Sequence, residues 1–102
     1  MGNGKSQHIK PEISTGEEIR LWPVPAGDKL QISFMISGNN NCKVRITDIS
    51  GREQLRQEFT GVQGVNNLLL QTSGLSNGNY VLDLVAGNRK YQAVRFTILR
   101  TP

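Results

Sequence analysis

The sequence predicts an all-β fold, with antiparallel strands packed as a sandwich around one core. Three observations carry this. Short apolar alternations of period two recur between clusters of Gly, Pro and Asn. No apolar stripe of period 3.6 occurs anywhere in the chain. Gly accounts for 11 of 102 residues, which supplies the turns that many short strands require. One face of each strand is apolar and the other polar, as in sheets with one face on a core and one in water. An open β-barrel is the rival closure of the same strands. A chain of 102 residues holds one such core, not two.

Residues 1–18, "MGNGKSQHIKPEISTGEE", lack periodicity and read as a flexible leader or inter-domain linker. No basic-then-apolar export signal opens the chain, so an exported protein would contain it as one piece, with Met1-Gly2 as an expression start. From Ile19 the pattern changes. Ile19 to Trp22 is a short strand halted by Pro23 and Pro25, and because proline removes a ladder donor this strand belongs at a sheet edge. Lys29 to Ile36 alternates, with Leu30, Ile32, Phe34 and Ile36 on one face. Gly38 to Asn41 reads as a loop. Lys43 to Ile49 puts Val44 and Ile46 inside, with Lys43, Arg45 and Thr47 outside. Ser50-Gly51 reads as a two-residue hairpin turn, leading into Arg52 to Phe59 with Leu55 and Phe59 as its apolar members. That register pairs Ile46 with Leu55 and sets Arg45 opposite Arg56. Opposed like charges are mildly destabilising, so the pair marks either a docking patch for an acidic partner or tolerance at a solvated sheet.

Gly61 and Gly64 break the chain again, and Val65 to Thr72 supplies Leu68 and Leu70. Gly78 to Ala86 is the clearest strand, and Gly87-Asn88 marks a tight turn after it. Arg89 to Leu99 closes a set of seven, with Val94, Phe96 and Ile98 on one face. The stretch "GLSNGNYVLDL" joins the fifth and sixth strands. A chain crossing between sheets there needs a turn tolerant of left-handed backbone, which Gly74, Asn77 and Gly78 supply. Leu75 plugs the core beneath it. Tyr80 buries its ring and directs its hydroxyl to a nearby backbone group, similar to the tyrosine corner of immunoglobulin-like sandwiches.

Residues that carry chemistry are scarce. Cys42 is alone, which excludes an internal disulfide, and it reads as a strand-edge thiol. The single histidine, His8, falls in the leader, away from any nucleophile. Asp28, Asp48, Glu53, Glu58 and Asp83 are scattered along the chain, which does not make a metal site. Asp48 and Glu53 flank the hairpin turn, but a glycosidase pair needs a cleft. The Gly2 to Gly4 segment follows no strand and is no phosphate loop. The net charge of +4 divides into −1 for residues 1–18 and +5 for the rest, a balance ordinary for solubility. Single-strand nucleic-acid binders need exposed aromatic platforms. Here Phe34, Phe59, Tyr80 and Phe96 fall on core faces, leaving only Trp22 and Tyr91 outside. No apolar run is long enough to span a bilayer. These readings imply no enzyme activity, no cofactor, no nucleic-acid partner and no membrane span.

The order of segments resembles a known family. "LWPVPAGDKLQISF" resembles a "YPNPasdxLxIxF" opening, "VRITDISGREQL" a "VxIyDxsGrxv" hairpin, and "LLLQTSGLSNGNYVLDL" an "LxLdlSgLxxGxYxlxl" segment; "RFTILR" resembles a terminal basic-Phe segment. Together they are similar to the type A C-terminal sorting domain of the type IX secretion system, over Ile19 to Arg100. The resemblance implies a seven-stranded antiparallel immunoglobulin-like β-sandwich that catalyses nothing. It further implies a cargo domain upstream, passage through the periplasm and outer membrane to the surface or medium, and two partners. These are an outer-membrane translocon and a sortase-like peptidase that removes the domain within the leader. The isolated domain is expected to be monomeric. Carried over position by position, the recognition residues would be Pro23, Pro25 and Asp28 in the opening, Gly51 in the hairpin, Gly78 and Tyr80 in the sixth strand, and Arg95, Phe96 and Arg100 in the last segment. Val24 stands where the family favours Asn, which removes an Asx-type turn bond, and Trp22 stands where it favours Tyr. An immunoglobulin-like spacer or carbohydrate-binding module is the alternative, with Trp22 and Asn39 to Asn41 as its sugar-facing groups.

Overall fold

The structure, a computed structural model, describes residues 14–15 and 19–101. Most of the proposed leader, including His8 and Gly2 to Gly4, lies outside the described residues. The described chain is all-β, with nine strands: β1 (Ser14–Thr15), β2 (Ile19–Trp22), β3 (Lys29–Ile36), β4 (Asn40–Asp48), β5 (Glu53–Gly61), β6 (Gly64–Gln71), β7 (Gly78–Ala86), β8 (Arg89–Lys90) and β9 (Val94–Ile98). The count of seven is thereby corrected. Seven of these strands are the expected ones, and β1 and β8 are added two-residue pieces. β8 is the front of the expected last strand, which the irregular segment at Tyr91 separates from β9.

The strands form two antiparallel sheets. One has the order β1-β2-β3-β6; the other has the order β5-β4-β7-β8, with β9 also on β7. The chain crosses between sheets after β3, β5 and β6, which is the sandwich arrangement and excludes the barrel. Apolar alternation explains the layering. Leu30, Ile32 and Phe34 of β3 face Val44 and Ile46 of β4, Leu82 and Leu84 of β7 and Phe96 and Ile98 of β9 in one buried cluster. Each fully buried aliphatic side chain contributes roughly 1.5–3 kcal/mol relative to exposure. Edge-to-face contacts of Phe34 with Phe59, at 5.8 Å, and with Tyr91, at 6.2 Å, extend this core beyond the aliphatic strands.

Several expectations are revised. Tyr91 is buried, its hydroxyl donating to the carbonyl of Met35, 56 residues away, so it is no exposed platform. Cys42 is not at an edge. It sits inside β4, between β5 and β7, and burial pushes its thiol pKa up, which removes thiolate character. Asn40 and Asn41 extend β4 because they pair with Gly61 and Thr60. Thr47, expected outside, is buried.

The edges differ from expectation too. β1 pairs with β2 at Leu21 and Arg20, partly covering the Pro-interrupted strand. Beyond the cis peptide bonds Trp22–Pro23 and Val24–Pro25, the chain reaches across to the other sheet. There the N–H of Ala26 donates to Thr97 and its carbonyl accepts from Leu99, bridging the outer side of β9. Among the described residues, the long edges with a neighbour on one side only are β5 and β6.

Candidate functional site

Register places three connections and the chain end together. Lys29 pairs with Gln71, Asp48 with Tyr80, and Gly78 with Ile98. The segments 23–28, 49–52 and 72–77 and the residues after β9 therefore meet at one end of the sandwich.

Arg100 clasps that end. Its guanidinium donates to the carbonyls of Thr72 at 2.6 Å, Leu75 at 2.7 Å and Gly27 at 3.3 Å, and to the carboxylate of Asp28 at 2.8 Å. A planar fork of five N–H donors suits this task, whereas a lysine ammonium does not. Asn77 completes the clasp: its side-chain oxygen accepts from the Arg100 N–H at 2.9 Å and its amide donates to the Arg100 carbonyl at 3.1 Å. Beneath the clasp, buried Thr72 donates its hydroxyl to Gly27 at 2.7 Å, and its N–H donates to Asp28. Asp28 and Arg100, named separately in the sequence, thus form one structure.

The hairpin is built on Asp48. Gly51 N–H donates to the Asp48 carbonyl and Asp48 N–H donates to that of Arg52, which closes a three-residue loop with Gly51 at φ 89°. The expected two-residue turn is corrected accordingly. One carboxylate oxygen of Asp48 accepts from the Ser50 hydroxyl at 2.6 Å, the Ser50 N–H at 2.9 Å and the Arg52 N–H at 3.0 Å. These donors, led by the Ser50 hydroxyl, hold its pKa down at about 2. The loop pushes Ile49 out to 82% exposure.

Tyr80 forms the tyrosine corner: its ring is buried and its hydroxyl donates to Ser76 at 2.6 Å. It stacks on Phe96 with centroids 5.8 Å apart. In the turn before it Gly78 takes a positive φ of 157°, as expected, whereas Gly74 is not among the positive-φ glycines. Asn77, the third residue expected in that turn, is tied to Arg100.

Between these parts lies an open concavity of about 690 Å³, lined by Val24, Ile49, Gly51, Tyr80, Arg95 and Phe96 among others. Pro23 and Pro25 are exposed on either side of Val24. Of the nine residues named from sequence, Asp28 and Arg100 form the clasp and Gly51, Tyr80, Arg95 and Phe96 line the concavity, while Pro23, Pro25 and Gly78 belong to neither group. Sequence reasoning missed Ile49 and Thr72, and it named Asn77 only as a turn residue. An apolar residue at the tip of a hairpin was a usable signal for Ile49. Thr72 and the tie of Asn77 to Arg100 act through contacts 45 and 23 residues distant, which no local pattern marks.

The opposed pair Arg45 and Arg56 does exist in the register, and acids within the chain offset it. Glu53 takes two hydrogen bonds from Arg56, at 2.9 and 3.1 Å, and lies 3.9 Å from Arg45. Asp83 approaches Arg45 at 3.6 Å from β7. Arg56, foremost, holds the Glu53 pKa below its usual value. No outside acidic partner is needed to account for the pair. Among the described residues, no group of three or more His, Cys, Asp or Glu is placed to hold a metal ion, and no helix is long and apolar enough to cross a membrane.

What this end of the molecule offers is a contoured protein surface on a rigid β-sandwich, the kind of module that other proteins read. The chain matches the Secretion system C-terminal sorting domain over residues 20–98 and belongs to that family, the sorting signals of type IX secretion. Membership carries export across the outer membrane, to the cell surface or the medium. The family is one of non-catalytic signals in general. A comparison with curated proteins found no match.

Proposed function

We propose that this domain is a non-catalytic address label for an upstream cargo. In this reading an outer-membrane translocon component reads the clasped end, and a sortase-like peptidase then cuts within residues 1–18. A label needs a stiff, reproducible contour and no reactive group, and pre-organised contacts lower the ordering cost of recognition. The observation that supports the reading best is that six of the nine sequence-named positions fall in two built features toward one end of the sandwich, Asp28 and Arg100 in the clasp and Gly51, Tyr80, Arg95 and Phe96 around the concavity.

The test fuses residues 1–102 to a periplasmic reporter in a cell with type IX secretion. The intact fusion is expected at the surface or in the medium, shortened by proteolysis upstream of Ile19. Deleting 95–102, which removes β9 after Val94 and takes Arg100 from the clasp, is expected to leave it in the periplasm. Surface delivery of the truncated fusion at the level of the intact one would refute the reading.

A further inference from the structure

We propose that the free edge of β5 docks a second copy of this chain, antiparallel and centred on Gln57. Backbone direction permits it. In β4, Asp48 bonds Arg52 on the β5 side, and Asn41 accepts from Gly87 on the β7 side. Even-numbered residues of β4 therefore face β5 and odd-numbered ones face β7. Since Val44 pairs with Gln57, and Lys43 and Arg45 pair with Glu58 and Arg56, the N–H and C=O groups of Arg56 and Glu58 point away from the sheet.

Side chains then select the register. With Gln57 opposite its own counterpart, Arg56 meets Glu58 of the second copy and Glu58 meets its Arg56. Leu55 meets Phe59 twice on the inner face, where both are only half-buried in one chain. Centring the pair on Arg56 or on Glu58 instead sets like charges face to face, which is unfavourable. The regular stretch also suits this centre. A β-bulge near Ile46/Thr47 leaves Gln54 as the extra residue on one side, and Gly61 ends the strand on the other.

Charges on an edge strand ordinarily discourage pairing. Here both signs are present at the one spacing that makes the strand complementary to itself. Glu58 has no hydrogen bond or ion pair among the described residues, although Lys43 stands opposite it and its charge acts on Arg56 of the same chain. Arg56 uses two donors on Glu53 and retains others in its fork. A dimer of this kind would stand against the expected monomer, and sedimentation decides between them. It leaves the loop end, on which the export reading rests, outside the contact.

The test is sedimentation equilibrium of the 102-residue chain at low salt, up to about 1 mM because so short a contact falls below the roughly 1,200 Å² of standard interfaces. A reversible monomer–dimer equilibrium is expected. Arg56→Glu alone and Glu58→Arg alone each weaken dimerisation about tenfold or more, by turning both cross-copy pairs repulsive. An equimolar mixture of the two variants restores a heterodimer, because each supplies the charge the other lacks; this also shows that both are folded. A wild-type chain monomeric throughout, a dimer unmoved by Arg56→Glu, or a mixture no tighter than its components would overturn the proposal.

Discussion

Arg100 ties residues 27–28 and 72–75 to the end of the chain through four acceptors, one of them 73 residues distant. Its replacement by Ala leaves three carbonyls without that donor and is expected to cost about 2–3 kcal/mol in urea unfolding, since hydrogen bonds to charged groups are each worth about 1.5–3 kcal/mol. Arg100→Lys should recover less than half of that loss, because an ammonium cannot span the same acceptors. Tyr80→Phe keeps the stack on Phe96 but removes the bond to Ser76, and should cost about 1 kcal/mol in the same measurement. Gly61 has another role than the chain break its sequence suggests. A Cβ there would lie 2.7 Å from the Cys42 sulfur and 2.8 Å from a terminal carbon of Ile36, so Gly61→Ala should cost about 1–3 kcal/mol through overpacking.

The β4–β5 hairpin shows how a correct register can arise from an incorrect turn. A two-residue loop at Ser50-Gly51 pairs Ile46 with Leu55. The real loop has three residues, which alone would shift the pairing by one. The bulge at Gln54 restores it, and Ile46 does pair with Leu55. Apolar alternation in the two strands was legible because a one-residue slip would expose every core side chain. The loop type was not, because it depends on where the Asp48 carboxylate finds its donors. That carboxylate makes the hairpin acid-sensitive. Its pKa is near 2 in the folded chain and 3.8 in the reference state, so the unfolded chain binds the proton first. The stabilisation is complete above about pH 4 and is lost as pH falls through 2. Ser50 and Arg52 amide shifts in an NMR titration should therefore move with a midpoint near 2; a midpoint near 3.8 would contradict the bonded carboxylate.

At the scale of the whole molecule, the sandwich was legible and its ends were not. Core strands announce themselves by period-two apolarity, and Tyr80 announces its corner by following a turn-rich segment. The loop end is assembled from residues far apart in sequence, such as Thr72 with Gly27 and Asn77 with Arg100, and short patterns carry no trace of that meeting. In the proposed reading, the same separation suits this end to be the label: it exists only when the whole domain is folded, so an unfolded chain does not display it.

The most direct measurement of this claim compares two folded reporter fusions in a type IX-competent cell. One carries Ile49→Asp at the rim of the concavity, the other Val65→Asp on the outer face at the opposite end; both residues are exposed, at 82% and 59%, so both variants should keep the wild-type melting temperature. The account predicts that Ile49→Asp strands the reporter in the periplasm while Val65→Asp is delivered normally. Equal surface delivery of the two, or a block by Val65→Asp alone, would contradict it.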